Sequence, residues 1–517
     1  MTASVAPPSS ATVGVRVTDR AILNLVSVLI FLPSALFAPS LRAPPAALVL
    51  VGCLGALTLI FKAPGGPGQD GLDVAVDGRK AALCLALALL ILLLGGETHV
   101  FFSAADWLIR DAVLADLVLA DRPVAYVLNG VDYLQRAPLG MYVLPGALGK
   151  LVGLKGAHVA LLAQNAVILG GAFYLLMRCG AGWMQIAVMV FFSGLAVVGV
   201  VLCSLMTGYP GVANALNLPL TAWALDAWNP YFQYSSSMVQ FFWAPNHALP
   251  GWWLATLILL RMRGALDIAT IGVTLAGAMF WSPLAVIPAA LWLAVLTLGD
   301  WRAQLSSPRL WLGAMAGLCF APIAVYMLTG ASAIDHGYGH EKTGFFQVYI
   351  LFVAVNLAFS VVVFANLHLL SRPLRNAFLF SIALLLLLPW LTFGPTNDLV
   401  SRGGVTALVI SSFAFAEVLR RREIRATPWF AVGLTFIVVS AASPVFEIAR
   451  AIVYPPYDIS DCSVIEADLA LGATVAPPNY TAPVAALPNW LIRPGAGEPR
   501  RVASRRCWSH RPDVTLK

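Results

Sequence analysis

Long apolar runs recur along this chain, and they leave it few possible folds. Segments such as 21–38, 44–62 and 156–176 approach the roughly 20 residues that an α-helix needs to cross a bilayer. Inside hydrocarbon, backbone N–H and C=O groups must be paired within their own segment, so each run is expected to be a helix. Apolar residues make up 59% of the 517 and charged residues only 11%. A water-soluble core could not hide that much apolar surface. The expected fold is an all-α polytopic membrane protein.

Spans are read at 21–38, 44–62, 81–95, 156–176, 183–203, 246–262, 266–281, 283–299, 310–329, 346–366, 374–393, 403–420 and 427–447, about thirteen transmembrane helices in all. The stretch 138–152 is apolar but short, and Pro138, Pro145 and glycines interrupt it. It reads as a re-entrant or interfacial piece. Charge supports that count. With the N-terminus inside, the inner loops hold Arg16, Arg20, Lys62, Arg79, Lys80, Arg178, Arg261, Arg263, Arg302, Arg309, Arg372, Arg375 and the cluster of Arg420–Arg422 with Arg425. The later outer loops hold only Lys342 and Arg402. If 138–152 spanned, this asymmetry would invert, against the positive-inside tendency. The expected division is a cytoplasmic tail at 1–20, a transmembrane domain at 21–447 and a small, Pro-rich periplasmic tail at 448–517. Outer loops fall at 96–155, 204–245, 330–345 and 394–402. The basic end, Arg500 to Arg511, departs from the trend.

The net charge of +7 fits basic inner loops. No Lys/Arg stripe with interleaved aromatics points to nucleic acid. No Walker-type GxxxxGK[ST], Gly-x-Ser-x-Gly elbow or His-Glu-x-x-His is present. Ionisable residues are nearly absent from mid-span, and no internal repeat is visible, which weighs against an ion-coupled transporter. Five of the seven cysteines sit in or beside apolar runs. Cys462 and Cys507 lie in the polar tail and can pair if that tail meets an oxidising compartment.

The first wet stretch is 97–136, which carries Glu97, Asp106, Asp111, Asp116, Asp121 and Asp132 with Arg110, Arg122 and Arg136. From Ala104 to Asp121 apolar residues recur at helical spacing, with Asp106, Arg110 and Asp121 on another face. This predicts an amphipathic helix lying on the membrane surface. Asp106 and Arg110, four apart, share a face. Asp106 is the candidate general base and Asp111 its alternate; a solvated surface ion pair is the plainer reading.

A second stretch, 226–252, holds Trp228, Tyr234 and Trp243, with Asn246 and His247. Such rings can line a sugar site or simply sit at the bilayer interface. His247 can meet a phosphate or relay a proton, or act as a structural hydrogen-bonder. A third, 394–404, crowds Asn397, Asp398 and Arg402. Arg402 can grip a lipid-linked phosphate, or the pair can be a capping Asp with an interfacial Arg. In 335–342, Asp335, His336, His340 and Glu341 can hold a metal or form a polar loop.

The layout resembles the GT-C class of membrane glycosyltransferases. The resemblance rests on Asp106-Trp107 with Arg110-Asp111, Arg122-Pro123-Val124, Arg136 through Pro145, Trp243-Ala-Pro-Asn-His247, and Asn397-Asp398 with Arg402. Two departures stand out: the acidic loop follows the third span, and neither an Asp-Asp doublet nor a WWDYG-type signature is present. The resemblance implies an inverting sugar transferase on the periplasmic face of a bacterial inner membrane. Its donor would be a polyprenyl-phosphate-linked sugar and its acceptor a glycan or lipid. Asp106, Asp111 and His247 would be catalytic. Arg402, Asp398, Arg110, Trp228, Tyr234, Trp243 and Asn246 would bind substrate. No metal ligand is assigned, and dependence on Mg or Mn is left open. The alternatives are a flippase or transporter, a polymerase or ligase of lipid-linked glycans, and a non-catalytic assembly protein.

Overall fold

The computed structural model describes residues 17–63, 71–207, 225–229, 231–299, 301–394, 397–493, 499–502 and 504–508. Positions 1–16 of the expected cytoplasmic tail, and 208–224 of the expected outer loop 204–245, lie outside them.

The chain is mostly helical. It begins with α1 (Asp19–Phe37), α2 (Ala43–Phe61), α3 (Gly78–Leu94), α4 (Trp107–Leu119) and α5 (Val143–Arg178). α1 packs on α2, and α5 packs on α1, α3, α4 and the helix Pro245–Met262. Among the described residues, five helical stretches are long and apolar enough to cross a membrane: Asp19–Ser40, Ala43–Phe61, Val143–Arg178, Arg372–Trp390 and Pro428–Val453. Two bent pairs raise the number to seven, Pro308–Leu318 with Ala321–Ala333 (43°) and Phe345–Asn356 with Phe359–Ala365 (62°). The other runs give shorter or more polar helices, including Ile268–Ala278, Pro283–Leu298 and Val405–Arg420. The described helices therefore support a membrane protein at a coarser count than thirteen crossings. The doubtful stretch 138–152 becomes the first arm of α5. It is set off from the second arm by Gly153, whose φ of +79° breaks the helix.

Beside the helices, which fit the expected all-α membrane protein, the chain carries a small sheet. β1 (Ala125–Leu128) and β2 (Val131–Gln135) form an antiparallel hairpin. Its two-residue turn, Asn129-Gly130, has both φ values positive, as a type I′ turn requires. A separate two-stranded pairing joins β3 (His336–Tyr338) to β4 (Leu391–Phe393). Two tail strands, β5 (Thr481–Pro483) and β6 (Arg500–Arg501), flank the hairpin in the order β5-β2-β1-β6. The tail also holds a helix, Val464–Ala470, started by a Ser463–Glu466 capping box, and a Cys462–Cys507 disulfide. Part of the tail thus folds as one body with the 97–136 stretch.

That folding corrects the picture of α4 as a helix lying wet on the membrane. Arg110, Asp111 and Asp116 are as buried as Trp107 and Leu114. α5 covers one flank, and the tail helix Val464–Ala470 covers another. Asp116 accepts the Tyr126 hydroxyl (2.6 Å), the Val464 amide (2.9 Å) and Arg500 Nη1 (2.6 Å), fastening the tail across α4.

Polar contacts gather at opposite ends of the helices. At one end Arg20 pairs with Asp73, Arg178 with Asp19, and Arg309 donates to the Leu59 and Lys62 carbonyls. At the other, Leu41 bridges to Ile492 of the tail, and Arg122 donates to the Leu36 carbonyl (3.2 Å). α4 and the four-stranded sheet lie at this second end.

Candidate functional site

Three segments distant in sequence meet at the N-terminal turn of α4. The first supplies Asp106, at the helix start with no capping hydrogen bond of its own, and Arg110 one turn later. Arg110 is buried, and each of its three guanidinium nitrogens donates. Nη2 donates to Asp106 Oδ2 (3.0 Å), Nε to the Trp243 carbonyl (2.9 Å), and Nη1 to the Tyr142 hydroxyl (3.4 Å) and to Asn246 Oδ1. Trp107 Nε1 donates to the neighbouring Phe242 carbonyl (2.8 Å). These two residues satisfy carbonyls left open at the C-terminus of the helix Ser237–Trp243.

The second segment opens the helix Pro245–Met262 with Asn246 and His247. Arg110 has only donors, so Asn246 must present its oxygen to it and its Nδ2 to His247 Nε2 (3.2 Å). That nitrogen is then the acceptor, so Nδ1–H donates to Ser282 Oγ (2.6 Å). Ser282 in turn caps the helix Pro283–Leu298 through the Ala285 amide. His247 thus has partners on both ring nitrogens. It holds Asn246, and through it Arg110.

The third segment is the short helix Asp398–Gly403. Asn397 takes a left-handed conformation (φ 53°) and ties itself to the Leu391 carbonyl (3.0 Å), which turns the chain into that helix. Asp398 and Arg402, one turn apart, pair at 3.4 Å, and Arg402 Nη2 reaches to 3.9 Å from Asp106 Oδ2. Arg402 Nε is buried with no hydrogen-bond partner among the described residues. Burial raises the Asp398 carboxyl above its ordinary value, and Arg402 opposes the shift. Asp106 is the most open of these groups, with 35% of its side chain exposed.

Trp243 donates from Nε1 to Glu447 (2.9 Å), and the Arg450 guanidinium lies 4.9 Å from its ring centroid. Glu447 and Arg450 form a buried ion pair. Sequence reasoning passed over both, because they fall at the end of an apolar run. Tyr480 of the tail also lies within electrostatic reach of Arg110, Asp106, Asp398 and Arg402.

Of the expected site residues, Asp106, Arg110, Asn246, His247, Asp398, Arg402 and Trp243 come together. Trp228 and Tyr234 do not line an open groove. Trp228 packs on Gly199 and Phe352, while Tyr234 lies against Gly404 and Phe352 and donates its hydroxyl to the Leu385 carbonyl. Both rings are buried packing residues, since the aromatic stretch folds inward rather than along the bilayer surface. Asp111 points elsewhere, toward His99. In the 335–342 loop, His336 and His340 are exposed, and no metal-type grouping forms there among the described residues. A cavity of about 340 Å³ lies well apart from this cluster, lined by Cys179, Arg263, Glu417 and Arg421.

The chain matches no protein-family model, no curated protein and no solved structure.

Proposed function

We propose that this protein is an inverting glycosyltransferase of the GT-C type. It takes a sugar from a polyprenyl-phosphate-type donor and passes it to a glycan or lipid acceptor at the periplasmic face of a bacterial inner membrane. The single observation that carries the reading is Arg402. Its side chain is 17% exposed, its buried Nε–H has no hydrogen-bond partner among the described residues, and it stands 3.9 Å from the partly exposed Asp106 carboxylate. A cation with a spare donor fits a phosphate leaving group, and a carboxylate beside it fits a base.

In the proposed reaction the acceptor oxygen attacks the anomeric carbon as Asp106 takes its proton. The bond from anomeric carbon to phosphate oxygen breaks, and its electron pair leaves on the phosphate beside Arg402. Arg110 fixes Asp106, and Asn246 and His247 fix Arg110. The Cys462–Cys507 disulfide supports an oxidising compartment for the tail, and hence for α4, on which the tail folds.

The test is turnover of polyprenyl-phosphate sugars by the purified full chain in detergent, with and without Mg²⁺, Mn²⁺ or EDTA to settle metal dependence. Arg402→Gln is expected to weaken polyprenyl-phosphate binding and slow transfer. Movement of the donor across vesicles without turnover would favour a flippase, and unchanged binding by Arg402→Gln would remove Arg402 from the reading.

A further inference from the structure

A second polar cluster lies on another side of α4, and the transfer chemistry does not use it. His99 comes from the loop after α3, Asp111 from α4 and His158 from the second arm of α5. One ligand-type atom of each lies within 4.8 Å of the others. The His99 and His158 rings stand edge to face, 5.3 Å apart at 84°. The side chains of His99 and Asp111 are 5% and 0% exposed, and His158 is 1% exposed.

Hydrogen bonding fixes which nitrogen of each ring faces the cluster. His99 Nδ1 lies 3.0 Å from the Tyr457 carbonyl, and His158 Nδ1 lies 3.0 Å from the Glu97 carbonyl. A carbonyl only accepts, so both Nδ1 atoms carry the proton and neutral rings present bare Nε2 lone pairs. His99 Nε2 approaches Asp111 Oδ2 to 2.9 Å. Two acceptors at that distance need a positive charge between them. His158 Nε2 and Asp111 Oδ1 are buried with no hydrogen-bond partner among the described residues. A buried polar atom left without a partner is costly, because it has given up its hydration for nothing.

We propose that His99, Asp111 and His158 bind one divalent transition-metal ion, of which zinc is the best match. Two imidazoles and a carboxylate are an intermediate-softness donor set that suits zinc better than calcium or magnesium. Zinc–ligand bonds of about 2.0–2.2 Å require donor atoms roughly 3.3 Å apart, so small side-chain rotations suffice. A carbonyl on the far nitrogen of each ring is the usual outer partner of a metal-bound histidine. Three protein ligands leave one position open. The ion would tie the loop after α3, α4 and α5 to one point, with Tyr457 of the tail behind it. It would fix the helix that carries Asp106 and Arg110 without touching substrate.

The proposal stands apart from the transferase reading, and its test needs no substrate. The full chain is purified in detergent, exchanged against Zn²⁺, freed of excess metal and measured by elemental analysis. About one equivalent is expected. His158→Gln and Asp111→Asn should each lose most of it while eluting as the wild type does. His336→Ala with His340→Ala should keep it. Co²⁺ in place of Zn²⁺ should give a visible ligand-field band that Asp111→Asn abolishes. In the wild type, a chelator should lower the melting temperature and Zn²⁺ restore it, a readout that does not depend on any variant folding. Substoichiometric zinc in the wild type, or equal zinc in Asp111→Asn, would overturn the site. A melting temperature indifferent to chelator and zinc would do the same, leaving a proton shared between His99 and Asp111 as the occupant.

Discussion

Asp106→Asn separates a catalytic carboxylate from a structural one. Asp106 is about one-third exposed, and among the described residues its carboxylate accepts one hydrogen bond, from Arg110 Nη2 at 3.0 Å, with Arg402 further off at 3.9 Å. Only the Asp106 side of the pair is open; Arg110 is buried, so removing the carboxylate charge leaves its guanidinium less compensated than in a surface pair. Asparagine keeps an oxygen for Arg110, and Asp106 makes no capping bond to lose. The melting temperature should therefore fall less than in Arg110→Met, which strands several buried groups at once. A positioned general base typically contributes 10²–10⁴-fold, or about 3–5.5 kcal/mol of barrier. Transfer measured under single-turnover conditions should fall by that factor, while binding of the polyprenyl-phosphate donor stays near wild type. An Asp106→Asn protein that is destabilised yet turns over normally would show the carboxylate to be a strut for Arg110, and the mechanism above would fail.

Three further outcomes follow from the contacts. Arg110→Met strands the Trp243 carbonyl and Asn246 Oδ1 in a buried place, so it should cost about 3–5 kcal/mol and appear first as lost thermal stability; an unchanged melting temperature would contradict the network. Asp226 is buried, accepting the Ser236 amide (2.6 Å) and the Ser193 hydroxyl, and burial raises its carboxyl from 3.8 to about 6. Because the folded state holds that proton more tightly, its stabilising contribution is complete below about pH 4 and is lost as pH rises through about 6. The shift corresponds to about 3 kcal/mol. Asp226→Asn should flatten this fall in melting temperature, and a variant that follows the wild-type pH profile would refute the assignment. Replacing Cys462 and Cys507 by serine opens a loop with a sequence separation of 45, worth about 4 kcal/mol by chain entropy. Hydrogen exchange in β5 and β6 should speed up while α1 and α2 stay protected.

The parts of this site that were legible in the sequence are those carried by local spacing. Asp106 with Arg110 and Asp398 with Arg402 are each four apart, and each pair does meet on one helix turn. Asn246 and His247 could be flagged because polar residues at the head of an apolar run have few harmless uses. What stayed hidden depends on contacts between distant segments. Nothing near α4 tells that Val464, Arg500 and Tyr126 will converge on Asp116 and bury the helix. The hairpin at Asn129-Gly130 was readable by its turn signal, but its flanking strands come from the far end of the chain. Trp228 and Tyr234 misled because an aromatic-rich stretch looks the same whether it meets lipid, sugar or the protein's own core. His99 and His158 drew no notice because their common partner Asp111 lies on a third segment, and no fixed spacing links the three.

The order of carboxylates on α4 explains why one short helix can hold these functions apart. Asp106, Asp111 and Asp116 are five residues apart, and five residues turn a helix by about 500°, a net rotation of roughly 140°. Successive carboxylates therefore leave the helix in three directions. Asp106 faces Arg110 and Arg402, Asp111 faces the histidine pair, and Asp116 faces the tail. An amphipathic surface helix would instead place its charges on one arc. This spacing requires polar partners all round, supplied here by an arginine pair, two imidazoles, and the Tyr126, Val464 and Arg500 set. With three anchored sides α4 cannot rotate without breaking one of them, which is the rigidity that a carboxylate placed for proton transfer needs.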